Sequence, residues 1–353
     1  MLEYSGFLAD TNTDAYTKLN LSSIVDLNNP KPQIINDKEY TAQPIDLMDE
    51  GTLSMLTEEL KIEDKDIFAQ DIENIMDYTT SAFIVRDENS TPLYLWTDMP
   101  SKNYKHEKTQ PTDTLVLHYT AANLKSALDT FIQKTDVSIH YIVGKSGIII
   151  NLIPDNKIAW HAGKSSWQGR EKVNDYSVGI EIINQGWGTP DGNWEEFTGA
   201  QKKSVCLLSK DISTHHNIPR DRIVGHQDVA PDRKVDPGPL FFWDEMAEHG
   251  AGISTGGICD RDSKVICKFN DENDKVRSMQ EKLSEFGYKI KIDGKYDEET
   301  AKVVNAFTCH FSQEERLALE KISGKNTSNP WTTVCDTKID LALKEKSDHH
   351  IDI

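Results

Sequence analysis

The chain has 353 residues, with 58 acidic against 39 basic side chains, a net charge of −19, and 37% hydrophobic residues. At about 150 residues per domain this length holds two or three domains. No stretch reaches the roughly 20 apolar residues of a membrane span, which excludes a helical integral membrane protein. The acidity opposes non-specific attraction to nucleic acid or anionic lipid, and it is unevenly placed: residues 1–100 carry 20 Asp and Glu against 6 Lys and Arg, a net of −14.

The first residues, MLEYSG, have neither a basic n-region nor an apolar h-region, so the chain as given is expected to be cytoplasmic as synthesised or to leave by another route. Residues 1–45 are rich in Asn, Asp, Thr and Ser and are interrupted by Pro30, Pro32 and Pro44, which predicts loops and short elements. Leu53, Leu56, Leu60, Ile67, Ile72, Ile75 and Met76 then recur at helical spacing, and a short strand is expected at 82–85. Residues 1–95 therefore read as an acidic N-terminal extension of uncertain fold. Packing on the following domain and controlling access to its groove is one role open to it.

From residue 96 to 250 apolar runs alternate with amphipathic segments. Strands are expected at 114–119, 141–143, 148–153, 178–183 and 223–226, with a turn at 145–147 closing a hairpin; helices are expected at 124–134 and 199–216. This alternation predicts an α/β domain, a mixed central sheet flanked by helices. Gly250, Gly252, Gly256 and Gly257 mark a linker over 251–269, beyond which a small all-α domain is expected at 270–345, followed by a polar tail at 346–353. Helical spacing of Val276, Met279, Leu283 and Phe286, a turn at Asp293-Gly294 and a second helix over 300–311 make up that domain. The five cysteines, Cys206, Cys259, Cys267, Cys309 and Cys335, form no close Cys-x-x-Cys pair. A cysteine metal site is therefore not expected, and the last four are either reduced or joined in one or two disulfides.

Three residues are candidates for a metal: His118 ending the first strand of the α/β domain, His226 ending the last, and Asp236 ten residues further along. Two His and one carboxylate leave a coordination position open, the arrangement of a catalytic rather than a structural zinc site. Glu181, on a strand between them, is placed to act as general base. His140 reads as structural, and His215, His216, His349 and His350 are not assigned to the metal.

The segments "LVLHYTA", "AWHAG", "SVGIEIIN" and "GHQDVAPDRKVDPGPLF" occur in that order. Together they resemble the zinc-dependent N-acetylmuramoyl-L-alanine amidases, whose fold is shared by phage amidases and animal peptidoglycan recognition proteins. The resemblance covers about residues 100–250. It implies one Zn2+ held by His118, His226 and Asp236, Glu181 as base, and Lys234 as the cation that stabilises the developing oxyanion. The bond cut would be the amide joining N-acetylmuramic acid to L-Ala of the stem peptide. Trp160, His161 and Ala162 would line the substrate groove, with Trp167 and Arg170 touching sugar and peptide carboxylate; for Trp160, core packing is the competing reading.

The later segment "VRSMQEKLSEFGYKIKIDGKYDEETAKVVNAF" resembles a helical peptidoglycan-binding module, with departures at Tyr296-Asp297 and Thr308-Cys309. The implied partners are peptidoglycan or muropeptides, which places the substrate in the cell envelope. Two alternatives stand beside this reading: a cytoplasmic recycling amidase for anhydro-muropeptides, and a non-catalytic peptidoglycan receptor. The presence of all three ligand residues and Glu181 opposes the second.

Overall fold

The computed structural model describes residues 17–18 and 41–350, apart from residues 80, 88, 134–135, 191, 257–262 and 324–327. In chain order the elements are β1 (Thr17–Lys18), β2 (Thr41–Asp46), α1 (Glu50–Glu59), α2 (Lys65–Met76), β3 (Ser81–Arg86), β4 (Pro92–Asp98), β5 (Thr114–Tyr119), α3 (Leu124–Gln133), β6 (Tyr141–Val143) and β7 (Ile149–Asn151). They continue with β8 (Ser166–Trp167), β9 (Arg170–Glu171), β10 (Ser177–Ile182), α4 (Gly199–His215), β11 (Ile223–Gly225), α5 (His226–Val229) and α6 (Trp243–Glu248). The C-terminal unit holds β12 (Val265–Cys267), α7 (Asp274–Phe286), α8 (Glu298–Phe311), α9 (Gln313–Ser323), β13 (Trp331–Thr332) and α10 (Thr333–His350).

Nine strands form one mixed sheet in the order β1-β2-β3-β4-β7-β6-β10-β5-β11. β6, β10, β5 and β11 are a parallel block, and β7 returns antiparallel to β6 through the expected hairpin. The sequence reading omitted β4. That strand pairs in parallel with β7 through Trp96↔Ile149, and it joins the antiparallel β2–β3–β4 meander to the α/β sheet. A boundary at residue 95 therefore falls inside a strand, and residues 41–98 pack on the domain that follows. Where loops were expected near Pro44, that residue lies within β2. At that position β2 has a described partner on one side only, the edge setting in which a strand tolerates proline.

Side-chain alternation along the strands builds a core on each face. Leu115, Leu117, Val178, Ile180, Ile182 and Trp96 point to one side, against Val205, Leu208 and Ile212 of α4. On the other side Leu95, Ile142 and Ile150 meet Phe68 and Ile72 of α2 and Leu124 and Leu128 of α3. The start of α4 is set by a capping box: Thr198 Oγ1 accepts the Gln201 N–H while the Gln201 side chain accepts the Thr198 N–H.

The C-terminal unit has the two expected helices, α7 and α8, but it is not purely helical: β12 and β13 form a two-stranded ribbon. Where a tail was expected, α10 continues to His350, and Lys346 Nζ donates to the Glu285 and Phe286 carbonyls at 2.8 Å. This unit shares one core with the sheet. Val116, Ala162, Trp167, Val224, Val229 and Ile253 pack with Val276, Leu283, Phe286, Tyr288 and Phe307. The start of the glycine-rich connection is likewise packed, since Ala251 and Ile253 are buried. Cys206, Cys267, Cys309 and Cys335 are free and buried, and Cys259 lies outside the described residues. Among the described residues no helix is long and apolar enough to cross a membrane.

Candidate active site

The parallel block delivers three segments to one place. His118 is the fifth residue of β5, Glu181 is the fifth of β10, and the two are direct register partners, so their side chains share a face at the carboxyl ends of the strands. β11 ends at Gly225, and His226 opens the four-residue helix α5, where a strand end had been expected. The loop after α5 turns back so that the Gln227 N–H donates to the Asp236 carbonyl at 2.8 Å, which carries Asp236 to the same point.

His118 Nδ1 lies 2.8 Å from His226 Nδ1 and 3.1 Å from Asp236 Oδ2, and His226 Nδ1 lies 3.0 Å from that same oxygen. All three residues are buried. The triangle is close to the spacing of about 3.3 Å that two ligands keep around a tetrahedral ion with bonds of 2.0–2.1 Å. Outer partners fix the ring orientations. His118 Nε2 lies 3.0 Å from His161 Nδ1, His161 Nε2 lies 3.1 Å from Ser177 Oγ, and His226 Nε2 lies 3.3 Å from the Ala162 carbonyl. The Ala162 carbonyl assigns the His226 proton to Nε2, and a proton on His118 Nε2 shared with His161 Nδ1, with His161 Nε2 donating to Ser177 Oγ, is the arrangement that leaves both Nδ1 lone pairs facing Asp236.

The electrostatics match. Burial, then the neighbouring His226, brings His118 down to about 4, so its ring is neutral. Burial alone would raise Asp236, but the two imidazoles beside it hold it well below the usual carboxylate range. A neutral imidazole and an ionised carboxylate are the forms in which such side chains ligate a divalent ion. Among the described residues His118, His226 and Asp236 are the His/Cys/Asp/Glu group with this geometry. Glu181 stands beside it with Oε2 buried and no hydrogen-bond partner among the described residues. Burial, then the Asp236 charge, pushes its carboxyl well above the usual range, and the charge of half-buried Lys234 pulls it back.

Residues 108–239 match the family model described as N-acetylmuramoyl-L-alanine amidase. The chain is 37% identical over 208 residues to N-acetylmuramoyl-L-alanine amidase AmiD of Escherichia coli, an alignment spanning 56% of this chain and 74% of AmiD. The chain belongs to the N-acetylmuramoyl-L-alanine amidase family. The amidase is also 39% identical over 107 residues to the 1,6-anhydro-N-acetylmuramyl-L-alanine amidase AmpD of Escherichia coli, covering 30% of this chain and 55% of AmpD. Among solved structures, Escherichia coli AmiD in complex with anhydro-N-acetylmuramic acid-L-Ala-D-gamma-Glu-L-Lys superposes with a TM-score of 0.54 at 29% identity, over 68% of this chain and 93% of that one. AmpDh3 from Pseudomonas aeruginosa shares the fold, with a TM-score of 0.50 at 23% identity over 69% of this chain and 96% of the other. Residues 272–311 match a second family model, described as a peptidoglycan binding domain.

Two residues expected in the amidase's groove are placed elsewhere, and a third has a different position. Trp167 is buried between the sheet and the C-terminal unit: its indole N–H donates to the Asp221 carbonyl at 3.0 Å and its ring meets Phe286 and Tyr288. Arg170 pairs with Asp113 and stacks at 3.7 Å on Tyr176, beside the amino ends of β5 and β10, opposite to His118. His161 stands behind His118, its Nδ1 3.0 Å from His118 Nε2. Ala162 contributes its carbonyl, which accepts from both His226 and Arg233. Trp160 is half-buried next to His161.

His140 and His216 have hydrogen-bond partners of their own. His140 Nε2 lies 3.1 Å from the Lys157 carbonyl while its Nδ1 accepts the Gly179 N–H at 3.0 Å, and His216 pairs with Asp155. The side chains of His349 and His350 lie outside the described residues. Sequence reasoning missed Ser177 and Asp228. Nothing in the spacing marks Ser177, whereas the Asp of "GHQD", two residues past a ligand, was legible as a candidate.

Proposed function

We propose that the amidase holds one Zn2+ through His118 Nδ1, His226 Nδ1 and Asp236 Oδ2, and that it cuts the amide between the lactyl group of N-acetylmuramic acid and L-Ala without a covalent intermediate. The observation that carries the metal assignment is the convergence of two imidazole lone pairs and one carboxylate oxygen within 3.1 Å. When bound there, zinc supplies Lewis acidity toward the scissile carbonyl and lowers the pKa of an attacking water.

The protein's own groups do the rest. Glu181, facing the cluster from the neighbouring strand, accepts the proton of the attacking water and returns it to the departing L-Ala amine. A raised carboxyl pKa suits both halves of that task, and the metal's charge favours its ionised form before attack. Lys234 would supply the ammonium that stabilises the charge gained by the amide oxygen. Trp160, beside His161, is proposed to flank the groove entrance. Peptidoglycan fragments are the ligands, and the C-terminal unit is proposed to help retain the polymer. The receptor alternative is not favoured, because the ligand cluster and Glu181 are intact and the chain is 37% identical to a named amidase.

The test is mass spectrometry of products from purified sacculi and from soluble anhydro-muropeptides, treated with the wild type and with Glu181→Ala, together with the zinc content of each protein. Stem peptides with a free L-Ala amine, lost in the variant while zinc stays near one per chain, are the expected result. Bound zinc without release from either substrate would overturn the catalytic reading; release without zinc would overturn the metal assignment.

A further inference from the structure

Two residues past His226, α5 carries a buried carboxylate with an unusual set of partners. Asp228 has no exposed surface. Its Oδ2 accepts the Gly225 N–H at 2.7 Å and contacts His310 Nδ1 at 2.8 Å, and its Oδ1 accepts the Tyr288 hydroxyl at 2.7 Å. Tyr288 and His310 both belong to the C-terminal unit, and both are buried. Two of the three donors to a carboxylate next to the His226 ligand turn therefore come from the part of the chain that matches a peptidoglycan binding domain.

A helix of four residues cannot hold itself, because helix nucleation is unfavourable and α5 makes barely one turn. Its position is set from outside, and Asp228 is where that outside hold is concentrated. The holders are themselves immobilised. The His310 ring is stacked between Trp243 of α6, with centroids 3.7 Å apart, and Phe311 at 3.9 Å. The Tyr288 ring meets Trp167 edge-on at 5.2 Å, and Trp167 is tied to the Asp221 carbonyl. Removing either donor leaves a buried carboxylate oxygen short of a partner, and the available relief is movement of α5. Such movement carries His226 Nδ1 out of the ligand triangle.

We infer that Tyr288 and His310 are positioning residues for the catalytic centre: through Asp228 they hold α5, and with it His226, in ligand geometry. The C-terminal unit is then a structural part of the metal site as well as a wall-binding module. This inference rests on the proposed assignment of His226 as a ligand.

The experiment uses the full-length chain and measures zinc affinity by chelator competition, alongside thermal unfolding. Tyr288→Phe and His310→Leu, which act on His226 only through Asp228 and the backbone of α5, are each expected to weaken zinc binding by about 10-fold, the lower end of the loss when a direct outer partner of a metal ligand is removed. His310→Asn, whose amide can replace the Nδ1 donor, is expected to recover part of that loss. Tyr296→Phe is the control: Tyr296 is an equally buried tyrosine of the same unit, but its hydroxyl bonds within the unit, to the Asn329 carbonyl. It is expected to lower the melting temperature with zinc affinity unchanged. Wild-type affinity in Tyr288→Phe and His310→Leu, or an equal loss in Tyr296→Phe, overturns the inference. A wild type that binds no zinc overturns the ligand assignment itself, and the inference with it.

Discussion

His161 occupies the space that a side chain on Gly179 would need: a Cβ built on Gly179 would lie 2.6 Å from His161 Nδ1 and 2.7 Å from Ile139 Cδ1. The glycine of "SVGIEI" thus allows a second imidazole to stand behind His118. Gly179→Ala is expected to displace His161 and loosen His118, weakening zinc binding by about 10-fold or more and costing roughly 1–3 kcal/mol from overpacking. Chelator competition and denaturant unfolding measure the two effects. Unchanged zinc affinity in the alanine variant would show that His118 keeps its orientation without His161.

If Glu181 and Lys234 act on the reaction rather than on the metal, as proposed, their loss should separate activity from binding. Glu181→Gln is expected to lower kcat by about 10²–10⁴, the usual worth of a positioned acid-base group. Lys234→Met is expected to lower it by about 10²–10³, as for removal of one oxyanion donor. Zinc should stay near one per chain in both. Loss of zinc in Lys234→Met would instead assign the lysine a structural role at the Asp236 loop.

Much of the site was legible because it lies on strands whose period-2 pattern fixes the facing. With β5 and β10 in parallel register, His118 and Glu181 had to share a face once Leu117 and Ile180 were assigned to the core. The differences from the sequence reading have physical causes. Trp167 and Arg170 were expected at the substrate from the family resemblance, but they lie in the short β8–β9 hairpin, where Trp167 bonds to the Asp221 carbonyl and Arg170 pairs with Asp113. β4 was missed although LYLWT is a buried apolar run like that of β5. Contacts between Asp228 and residues 60 and 82 positions later leave no local signal at all.

Asp98 closes β4, and its Oδ1 accepts the Trp96 indole N–H at 3.2 Å. Burial raises its carboxyl to about 7. The folded chain therefore binds a proton there that the unfolded chain releases near pH 4, so this group's contribution to stability is complete at low pH and is lost as pH rises through 7. At about 1.4 kcal/mol per pKa unit the loss is about 2–4 kcal/mol by pH 8. Asp98→Asn keeps an acceptor for the indole and does not ionise. It is expected to stabilise the protein at pH 8 and to flatten the decline between pH 5 and 7 seen in denaturant titrations. The same slope in both proteins would place the responsible group elsewhere.

Arg170 offers a sharper division between groove and scaffold. Its guanidinium lies 2.5 Å from Asp113, which also pairs with Arg222 at 2.6 Å, and it stacks on Tyr176. These contacts tie the β8–β9 hairpin to the amino ends of the parallel strands. If they are its whole role, Arg170→Ala should cost about 1 kcal/mol of stability, in the range of a partly exposed ion pair with some stacking. KM for anhydro-muropeptides and zinc affinity should be unchanged. A several-fold rise in KM at constant kcat would return Arg170 to the substrate and would require the bound stem peptide to reach the amino ends of β5 and β10, opposite to His118.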